Sequence, residues 1–280
     1  MSNVDIKELT DMAKRMRIEA LTMAYEAGKS GAHLGGGLSC IEILAVLYGQ
    51  VARFKPDDPA WEDRDRILIS KAHAVLAYYT ALYEAGFLTK EELFSFEKEG
   101  TDFVGHPQKR PDKGIEYAGG SLGMALSVAC GMAVHARDQK SVRRIFCLLG
   151  DGECEEGSIW EAVMFAAKER LGNLVVIVDR NKLQYDGTTS EVAGLDHIGE
   201  KFECFGWNKK EIDGHNISEL IDALKDNHID MPTVIIADTV KGKGVSFMEN
   251  DPLWHHSVLS EVQYKQALSE LDCEGLNAGD

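Results

Sequence analysis

The sequence predicts an α/β fold in which helices flank both faces of a parallel β-sheet. Short apolar runs such as Arg144–Leu149 and Asn173–Val178 have the length and the Ile, Leu and Val content of buried strands. Both runs end at glycine or polar residues, and a segment with helical periodicity lies between them. Strands connected through a helix pair in parallel, so their carboxyl ends lie at the same edge of the sheet.

The first of these strands stops at Gly150-Asp151-Gly152, and the second ends at Asp179-Arg180-Asn181. Between them, Ser158 and Glu161 have the spacing of a capping box, in which the serine accepts from a helix amide and the glutamate reaches back. The helix is expected to continue to about Arg170. Its apolar face is expected to consist of Trp160, Val163, Met164 and Ala167.

The remaining elements follow from the same two periodicities. The predicted helices are Ile6 to about Ala27, Leu38–Tyr48, a polar helical connection within Phe87–Gly100, Met124–Asp138, Ile198–Phe205 and Ile217–Lys225. The other predicted strands are Asp65–Lys71, Trp207–Ile212 and Pro232–Asp238. The sequence of 280 residues contains no repeat, low-complexity segment or linker, so residues 1–280 are expected to form a single domain.

Composition limits the classes of partner and compartment. A net charge of −16 argues against nucleic acid and against an anionic membrane surface as partners. Six cysteines without a CxxC motif or disulfide-like spacing predict a reducing, cytoplasmic location. The N-terminus is charged and amphipathic, unlike a signal peptide, and no apolar run reaches the ~18 residues that a membrane span needs.

Asp151 and Asn181 follow neighbouring strands, at the edge where open α/β sheets bind ligands. A carboxylate, an amide oxygen and a backbone carbonyl are hard oxygen donors, which suit Mg²⁺ or Ca²⁺ bound together with a phosphate group. The glycines beside Asp151 allow close approach of a diphosphate, and the start of the following helix adds partial positive charge. The sequence therefore predicts a cation and diphosphate site.

The segment GDGECEEGSIWEA, followed by DRNKLQYDG, resembles the thiamine-diphosphate signature of transketolases. Essentially the whole chain is similar to a family in which the amino-terminal half of transketolase is a separate polypeptide. The resemblance implies the thiamine-diphosphate-binding fold and thiamine diphosphate as cofactor. It also implies that Asp151, Asn181 and the carbonyl of Leu183 hold Mg²⁺ (or Ca²⁺), and that Gly152 lies against the diphosphate.

Other segments resemble motifs of the same family. SGAHLGGG resembles the Ser-Gly-His-x-Gly loop, with Ala32 inserted, and implies that His33 meets the substrate. SKAH and WHH resemble the motifs Ser-Lys-Gly-His and Trp-His-Gly, which implies that His73 contacts the diphosphate and that His255, rather than His256, contacts diphosphate and substrate. Gly105-His106-Pro107 implies that His106 lies near substrate hydroxyls.

Two further loops complete the predicted cofactor site. Gly119–Gly123 looks like the family's Gly-x-Leu-Gly element, which implies that Gly120 and Leu122 grip the aminopyrimidine end of the cofactor. The glycine-rich loop around Lys241 follows the last strand at the same sheet edge and is a candidate phosphate contact, although solvated lysines are a common alternative there. Glu156 matches a family glutamate at the domain interface that connects two active sites.

The resemblance implies one half of an enzyme that transfers a two-carbon ketol unit from a ketose phosphate to an aldose. The other half would be a subunit with the pyrimidine-binding and C-terminal domains, with two copies of each chain. Other readings are a different thiamine-diphosphate reaction, such as deoxyxylulose phosphate synthesis or 2-oxo acid decarboxylation, a sulfonated or branched sugar donor, and a non-catalytic subunit. The histidines are expected to orient hydroxyls and to move protons by titrating near neutral pH.

Overall fold

The computed structural model describes residues 6–225 and 230–274. The strands are β1 Arg66–Ile69, β2 Ile145–Gly150, β3 Leu174–Arg180, β4 Asn208–Asp213 and β5 Thr233–Asp238. The longer helices are α1 Ile6–Glu26, α4 Val75–Glu84, α6 Ala125–Asp138, α7 Gly157–Lys168, α10 Ile217–Lys225 and α11 Glu261–Glu274. The shorter helices are α2 Leu34–Leu38, α3 Ile41–Val46, α5 Lys90–Leu93, α8 Thr189–Val192 and α9 Ile198–Cys204.

The five strands form one parallel sheet in the order β1-β2-β3-β5-β4, which confirms the predicted fold class. The register aligns the carboxyl ends of the central strands. Gly150 at the end of β2 lies beside Asp179, and Arg180 at the end of β3 lies beside Asp238 of β5. The loops that follow β1, β2, β3 and β5 therefore start from one edge, as expected for a parallel sheet.

Two hydrophobic cores cover the two faces of the sheet. Successive strand residues point to opposite faces, so Phe146 and Leu148 enter one core while Ile145, Cys147 and Leu149 enter the other. Helices α1, α3, α4 and α10 contribute to the first core, and α6, α7 and α9 contribute to the second. Helices on both faces of the sheet were predicted, and the structure confirms them. No helix in the described ranges combines the length and apolar character needed to cross a membrane.

Two predicted helices differ from those observed. The predicted helix Leu38–Tyr48 is interrupted at Ser39-Cys40, where the Ser39 hydroxyl donates to the buried Asp179 carboxylate (2.6 Å) and lies 3.1 Å from the Gly36 carbonyl. Beyond this break α3 continues into a π-helical turn at Leu47–Val51. Within Phe87–Gly100 the only α-helix is α5, whose capping box at Thr89 and Glu92 starts a single turn.

The start of α7 was predicted wrongly. Its apolar face was predicted correctly in part, since Val163 is buried and Trp160 and Ala167 pack against the core. The helix begins at Gly157, with Glu156 as its N-cap, so Ser158 lies inside the first turn and donates to the Gly123 carbonyl (3.0 Å) rather than forming a capping box. Met164 is exposed, and the buried face consists of Ile159, Ala162, Val163 and Ala166. Two adjacent stripes of this helix are apolar, so periodicity alone could not select the stripe that faces the sheet.

Candidate active site

The carboxyl edge of the sheet carries an inner cavity of about 90 Å³. Of the residues predicted to bind cofactor or metal, those that line this cavity are His73, Leu122, Asp151, Gly152, Asn181, Leu183, Lys241 and His255. Sequence reasoning did not assign a role to four others that line it, namely Gly36, Lys71, Glu153 and Gln184. Most of the predicted cofactor site is therefore brought together in one place.

Asp151 is held against the turn that follows β3. Its carboxylate accepts from the backbone amides of Gly152 (2.8 Å) and Lys182 (2.5 Å). Burial, and next the neighbouring carboxylate of Asp179, raise the pKa of Asp151 to about 6. The side chain is buried, so its charge favours a cation at this position.

Asn181 and Leu183 complete the same turn. The side-chain oxygen of Asn181 accepts from the Leu183 amide (3.1 Å), while its NH₂ group donates to Asp179 (3.3 Å). The Leu183 carbonyl accepts from the Lys241 ammonium group at 3.0 Å. Two of the three predicted metal donors, Asn181 and the Leu183 carbonyl, therefore lie on this turn, and the third, Asp151, is hydrogen-bonded to it through the Lys182 amide.

Lys241 contacts three parts of the inner cavity. Its Nζ lies 3.0 Å from the Leu183 carbonyl, 3.3 Å from the Gln184 carbonyl and 3.2 Å from Nδ1 of His255. Burial, together with the nearby charge of Lys71, lowers the pKa of Lys241 to about 8. The side chain is buried, and its ammonium group has no direct carboxylate partner among the described residues, which favours binding of an anion next to it.

A buried ion pair lies beneath this cavity. The Lys71 ammonium group contacts the Asp179 carboxylate, which also accepts from the hydroxyls of Ser39 (2.6 Å) and Thr239. Burial opposes ionisation of Asp179, but Lys71 and these hydrogen bonds outweigh burial and lower its pKa. Sequence reasoning overlooked the pair, although both residues stand at strand ends, which was a usable signal.

Histidines fill the space above the inner cavity. The ring of His33 lies 5.3 Å from that of His73, 5.7 Å from His106, 5.4 Å from His255 and 4.5 Å from His256, measured between ring centroids. The predicted histidines of four separate loops therefore form one cluster. His256, set aside in favour of His255, also belongs to it.

The cluster contains imidazoles that remain neutral. Burial, and then the neighbouring His256 and His255, lower the pKa of His33 to about 3, and burial together with Lys241 lowers the pKa of His255 to about 4. Burial also lowers the pKa of His73 well below its usual value. The expectation that these histidines titrate near neutral pH is therefore wrong for all three, because the cluster is buried and flanked by lysines.

An outer cavity of about 310 Å³ opens beside the cluster. Its polar side chains are those of Ser30, His33, Glu97, His106, Gln108 and His256. The cavity has no lysine or arginine in its lining among the described residues. Its chemistry suits hydroxyl groups, which imidazole and amide side chains bind by hydrogen bonds.

Two predicted site residues lie outside both cavities. Gly120 is exposed in the loop that carries Leu122, and Glu156 is exposed at the N-terminus of α7. A Cβ atom added at Gly123 would come within 2.8 Å of Cβ of Glu156, so this glutamate packs against the Gly119–Gly123 loop. The structure does not bring Glu156 to the histidine cluster.

Residues 9–276 match the family model described as the thiamine diphosphate binding domain of transketolase. The chain belongs to the transketolase family. Its relatives within the family include the 6-deoxy-6-sulfo-D-fructose transketolase subunit SqwG of Clostridium sp. (strain MSTE9), which is 38% identical over 97% of this chain and 98% of its own length. Another is an apulose-4-phosphate transketolase subunit from Phocaeicola vulgatus, which is 39% identical over 96% of this chain and 94% of its own length.

A solved transketolase from Campylobacter jejuni superposes with a TM-score of 0.88 at 28% identity, over 96% of this chain. The chain spans only 43% of that transketolase. The matches confirm the predicted family, fold and thiamine diphosphate cofactor. They also confirm that the chain is part of a transketolase-type, ketol-transferring enzyme.

Proposed function

We propose that the chain binds thiamine diphosphate through Mg²⁺ and acts as one subunit of a two-subunit transketolase. The observation that carries this proposal is the meeting of Asp151, Asn181 and the Leu183 carbonyl below the histidine cluster at one sheet edge. The oxygen donors fit a cation that bridges to a diphosphate, and the histidines fit a polyhydroxylated donor. Residues 1–280 act as a single domain in this proposal.

The donor set supports Mg²⁺ and leaves Ca²⁺ as the alternative. One carboxylate, one amide oxygen and one carbonyl are hard ligands, and few protein ligands plus substrate phosphates are usual for Mg²⁺. No group of three or more His, Cys, Asp or Glu side chains with metal-binding geometry exists within residues 6–225 and 230–274. This argues for a cation shared with a ligand rather than a closed structural site.

The diphosphate would lie between Gly152, His73, Lys241 and His255, all of which line the inner cavity. When bound, thiamine diphosphate supplies the electron sink that ketol transfer needs. The protein contributes binding and orientation. Lys241 offers a buried positive charge, His73 and His255 offer neutral ring N–H groups, and Gly152, which has no side chain, allows the diphosphate to approach the backbone closely.

His33, His106 and His255 would orient the donor. A neutral imidazole both donates and accepts a hydrogen bond, so a row of them can follow successive hydroxyls of a sugar. His33 contacts the rings on either side and would hold the hydroxyls nearest the inner cavity. This preference for hydroxyls favours ketol transfer over 2-oxo acid decarboxylation, whose substrates carry few hydroxyls, and the intact site argues against a non-catalytic subunit.

The donor's far end would be bound by the partner subunit. The lining of the outer cavity contains no lysine or arginine within the described part of the chain, so a terminal phosphate or sulfonate lacks a cationic partner there. Relatives of similar length are named for a sulfonated ketose and for apulose 4-phosphate. A ketose phosphate, a sulfonated sugar and a branched sugar therefore remain three donor classes for this site.

The partner would carry the pyrimidine-binding and C-terminal domains, with two copies of each chain. The relatives of equal length are named as subunits, and the chain matches 43% of a solved transketolase. Large apolar side chains on α6, on α7 and in the loop before α6 are exposed, and together they are termed the α6–α7 face: Leu122, Met124, Val128, Met164 and Phe165. Leu122 also lines the inner cavity. The partner's pyrimidine-binding domain would cover the α6–α7 face, with Glu156 at the margin of the interface. The enzyme would work in the cytoplasm, where free thiols such as those of this chain persist.

Asp151→Ala tests the metal assignment. Removal of the carboxylate should abolish Mg²⁺-dependent binding of thiamine diphosphate, measured by calorimetry on the assembled enzyme with and without chelator. Asp222→Ala, the same change at an exposed aspartate on α10 that lines neither cavity, is the matched control and should bind normally. Unchanged Mg²⁺-dependent binding by Asp151→Ala would refute the assignment. Ketol transfer from a panel of phosphorylated, sulfonated and branched ketoses then identifies the donor class.

A further inference from the structure

The side chain of Glu153 contacts three separate segments at once. Its Oε1 accepts from the Ser70 hydroxyl and from the Gly123 amide (2.8 Å), and its Oε2 accepts from the Gly150 amide (3.1 Å). Glu153 itself belongs to the turn after β2 and is 3% exposed. One buried carboxylate thus connects the end of β1, the end of β2 and the Gly119–Gly123 loop.

These segments carry the two ends of the proposed cofactor site. Gly150 immediately precedes Asp151, the proposed metal ligand, and Gly123 follows Leu122, the proposed contact of the aminopyrimidine. Ser70 lies three residues before His73, which lines the inner cavity. The distance between the diphosphate end and the aminopyrimidine end of the site therefore depends on the carboxylate that joins them.

Gly123 is held from both sides. Its amide donates to Glu153, and its carbonyl accepts from the Ser158 hydroxyl at 3.0 Å. Its φ of +79° is open to glycine but strained for other residues, and a Cβ there would come within 2.6 Å of the Ser158 hydroxyl oxygen. Because neighbouring Leu122 is exposed, these contacts and not hydrophobic burial fix the end of the loop.

The three donors require a carboxylate. Ser70, Gly123 and Gly150 all present hydrogens to Glu153, and a carboxylate has two accepting oxygens. A glutamine would replace one oxygen with an NH₂ group, which would meet a donor instead of accepting from one. Burial raises the pKa of Glu153, but Ser70 and the two amides oppose that rise.

We propose that Glu153 is a positioning residue that fixes the aminopyrimidine loop relative to the diphosphate loop. Glu153 lines the inner cavity, but both of its carboxylate oxygens accept from protein donors, so in this proposal it acts through Gly123 and Gly150. The inference rests on the proposed function, because the loops matter only if they hold the two ends of the cofactor. Its geometric part, the connection of the two loops, can be measured without any ligand.

The first experiment measures backbone amide exchange by NMR in the full chain. In Glu153→Gln, exchange at the Gly123 and Gly150 amides should be about tenfold faster than in the wild type, because a charge-assisted hydrogen bond is lost. Glu153→Asp keeps the carboxylate but shortens the side chain by one methylene, so it cannot reach Gly123 and Gly150 together, and exchange about threefold faster is expected at one of the two amides. If Glu153→Gln does not fold, Glu153→Asp decides. Unchanged exchange at both amides in the folded variants would overturn the connection.

The second experiment separates positioning from a merely structural role. Thiamine diphosphate reaches both loops, whereas inorganic pyrophosphate reaches only the diphosphate loop. In the enzyme assembled with Mg²⁺ and its partner, Glu153→Gln should lower the affinity for thiamine diphosphate about tenfold and the affinity for pyrophosphate less than about threefold. Equal loss for both ligands, or no loss for either, would overturn the positioning role. If the wild type binds neither ligand, the proposed function fails, and amide exchange still decides whether the two loops are connected.

Discussion

At the scale of a residue, His33 shows how the surroundings of a side chain change its pKa. It lies among four other imidazoles, and burial next to them lowers its pKa to about 3. A histidine near neutral pH would ordinarily exchange protons. Here a proton on His33 would be placed in a site that already contains Lys241, so the ring remains neutral and serves as a donor and acceptor of hydrogen bonds.

Folding stability should therefore depend on pH through His33. An unfolded histidine has a pKa of about 6.5, so between that value and about 3 the unfolded chain takes up a proton that the folded chain does not. The contribution of His33 to the free energy of unfolding is complete above the pKa that His33 has in the unfolded chain, and it is lost as the pH falls towards 3. The free energy of unfolding, measured by urea denaturation, should fall less steeply between about pH 7 and about pH 5 in His33→Asn than in the wild type.

His197→Asn is the control for this comparison, because His197 is exposed at the start of α9 and lies outside the cluster. Its pH dependence should match the wild type more closely than that of His33→Asn. An NMR titration of the His33 ring in the folded chain gives a direct check. A protonation step near the ordinary histidine pKa would contradict the neutral assignment.

At the scale of elements, the loop that carries Lys241 is held by two helices and a turn. The Val240 amide donates to Nε2 of His215 (2.9 Å), and Nδ1 of His215 lies 3.0 Å from the Glu42 carboxylate on α3. Arg17 on α1 binds Glu42 (2.5 Å) and the Lys243 carbonyl (2.9 Å). Because Val240 donates, Nε2 must accept, so His215 is in its Nδ1–H form and donates to Glu42.

Removal of this support should loosen the loop. Burial opposes ionisation of Glu42, but Arg17 and His215 lower its pKa to about 2, so the network is built around a charged carboxylate. In His215→Ala the Val240 amide loses its acceptor, and the free energy of unfolding should fall by about 1–3 kcal/mol. Urea denaturation followed by circular dichroism, combined with amide exchange at Val240, measures both effects. Retained protection of the Val240 amide would show that the loop does not depend on His215.

The strands and the location of the site were predictable because both follow from local signals. Runs such as Ile145–Leu149 are apolar at every position, and Asp151 and Asn181 stand directly after them. The buried stripe of α7 was only partly predictable, because Met164 and Phe165 are also apolar and the helical period does not show that they are exposed.

Contacts between residues far apart in the sequence could not be predicted either. His215 is 173 residues from Glu42, and Glu153 is 83 residues from Ser70. Nothing in the periodicity of either segment indicates its partner, since periodicity reports only which face is buried. Familiar spacing identified the residues proposed to touch the cofactor, whereas the residues that hold them, including Asp179 and Glu153, became visible only in three dimensions.

At the scale of the whole molecule, the α6–α7 face has the exposed apolar side chains expected of an interaction surface. Met124, Met164 and Phe165 are 50%, 48% and 44% exposed, although they are large and apolar. A groove of about 330 Å³ runs between the two helices and is lined in part by Cys130, Ala162 and Phe165. Since Leu122 belongs both to this face and to the inner cavity, a subunit that covers the face also reaches the cofactor site.

Charge placed on this face should separate the subunits without unfolding the chain. Phe165→Glu adds a carboxylate that must lose its water when the proposed partner binds, so affinity for the co-expressed pyrimidine-domain subunit should fall about tenfold or more. Calorimetry measures the affinity, and circular dichroism checks the fold. Val262→Glu, a matched change at a 77% exposed valine on α11, should leave the affinity unchanged. Equal affinities for Phe165→Glu and the wild type would place the partner elsewhere, because a buried interface cannot accept an unpaired charge without loss.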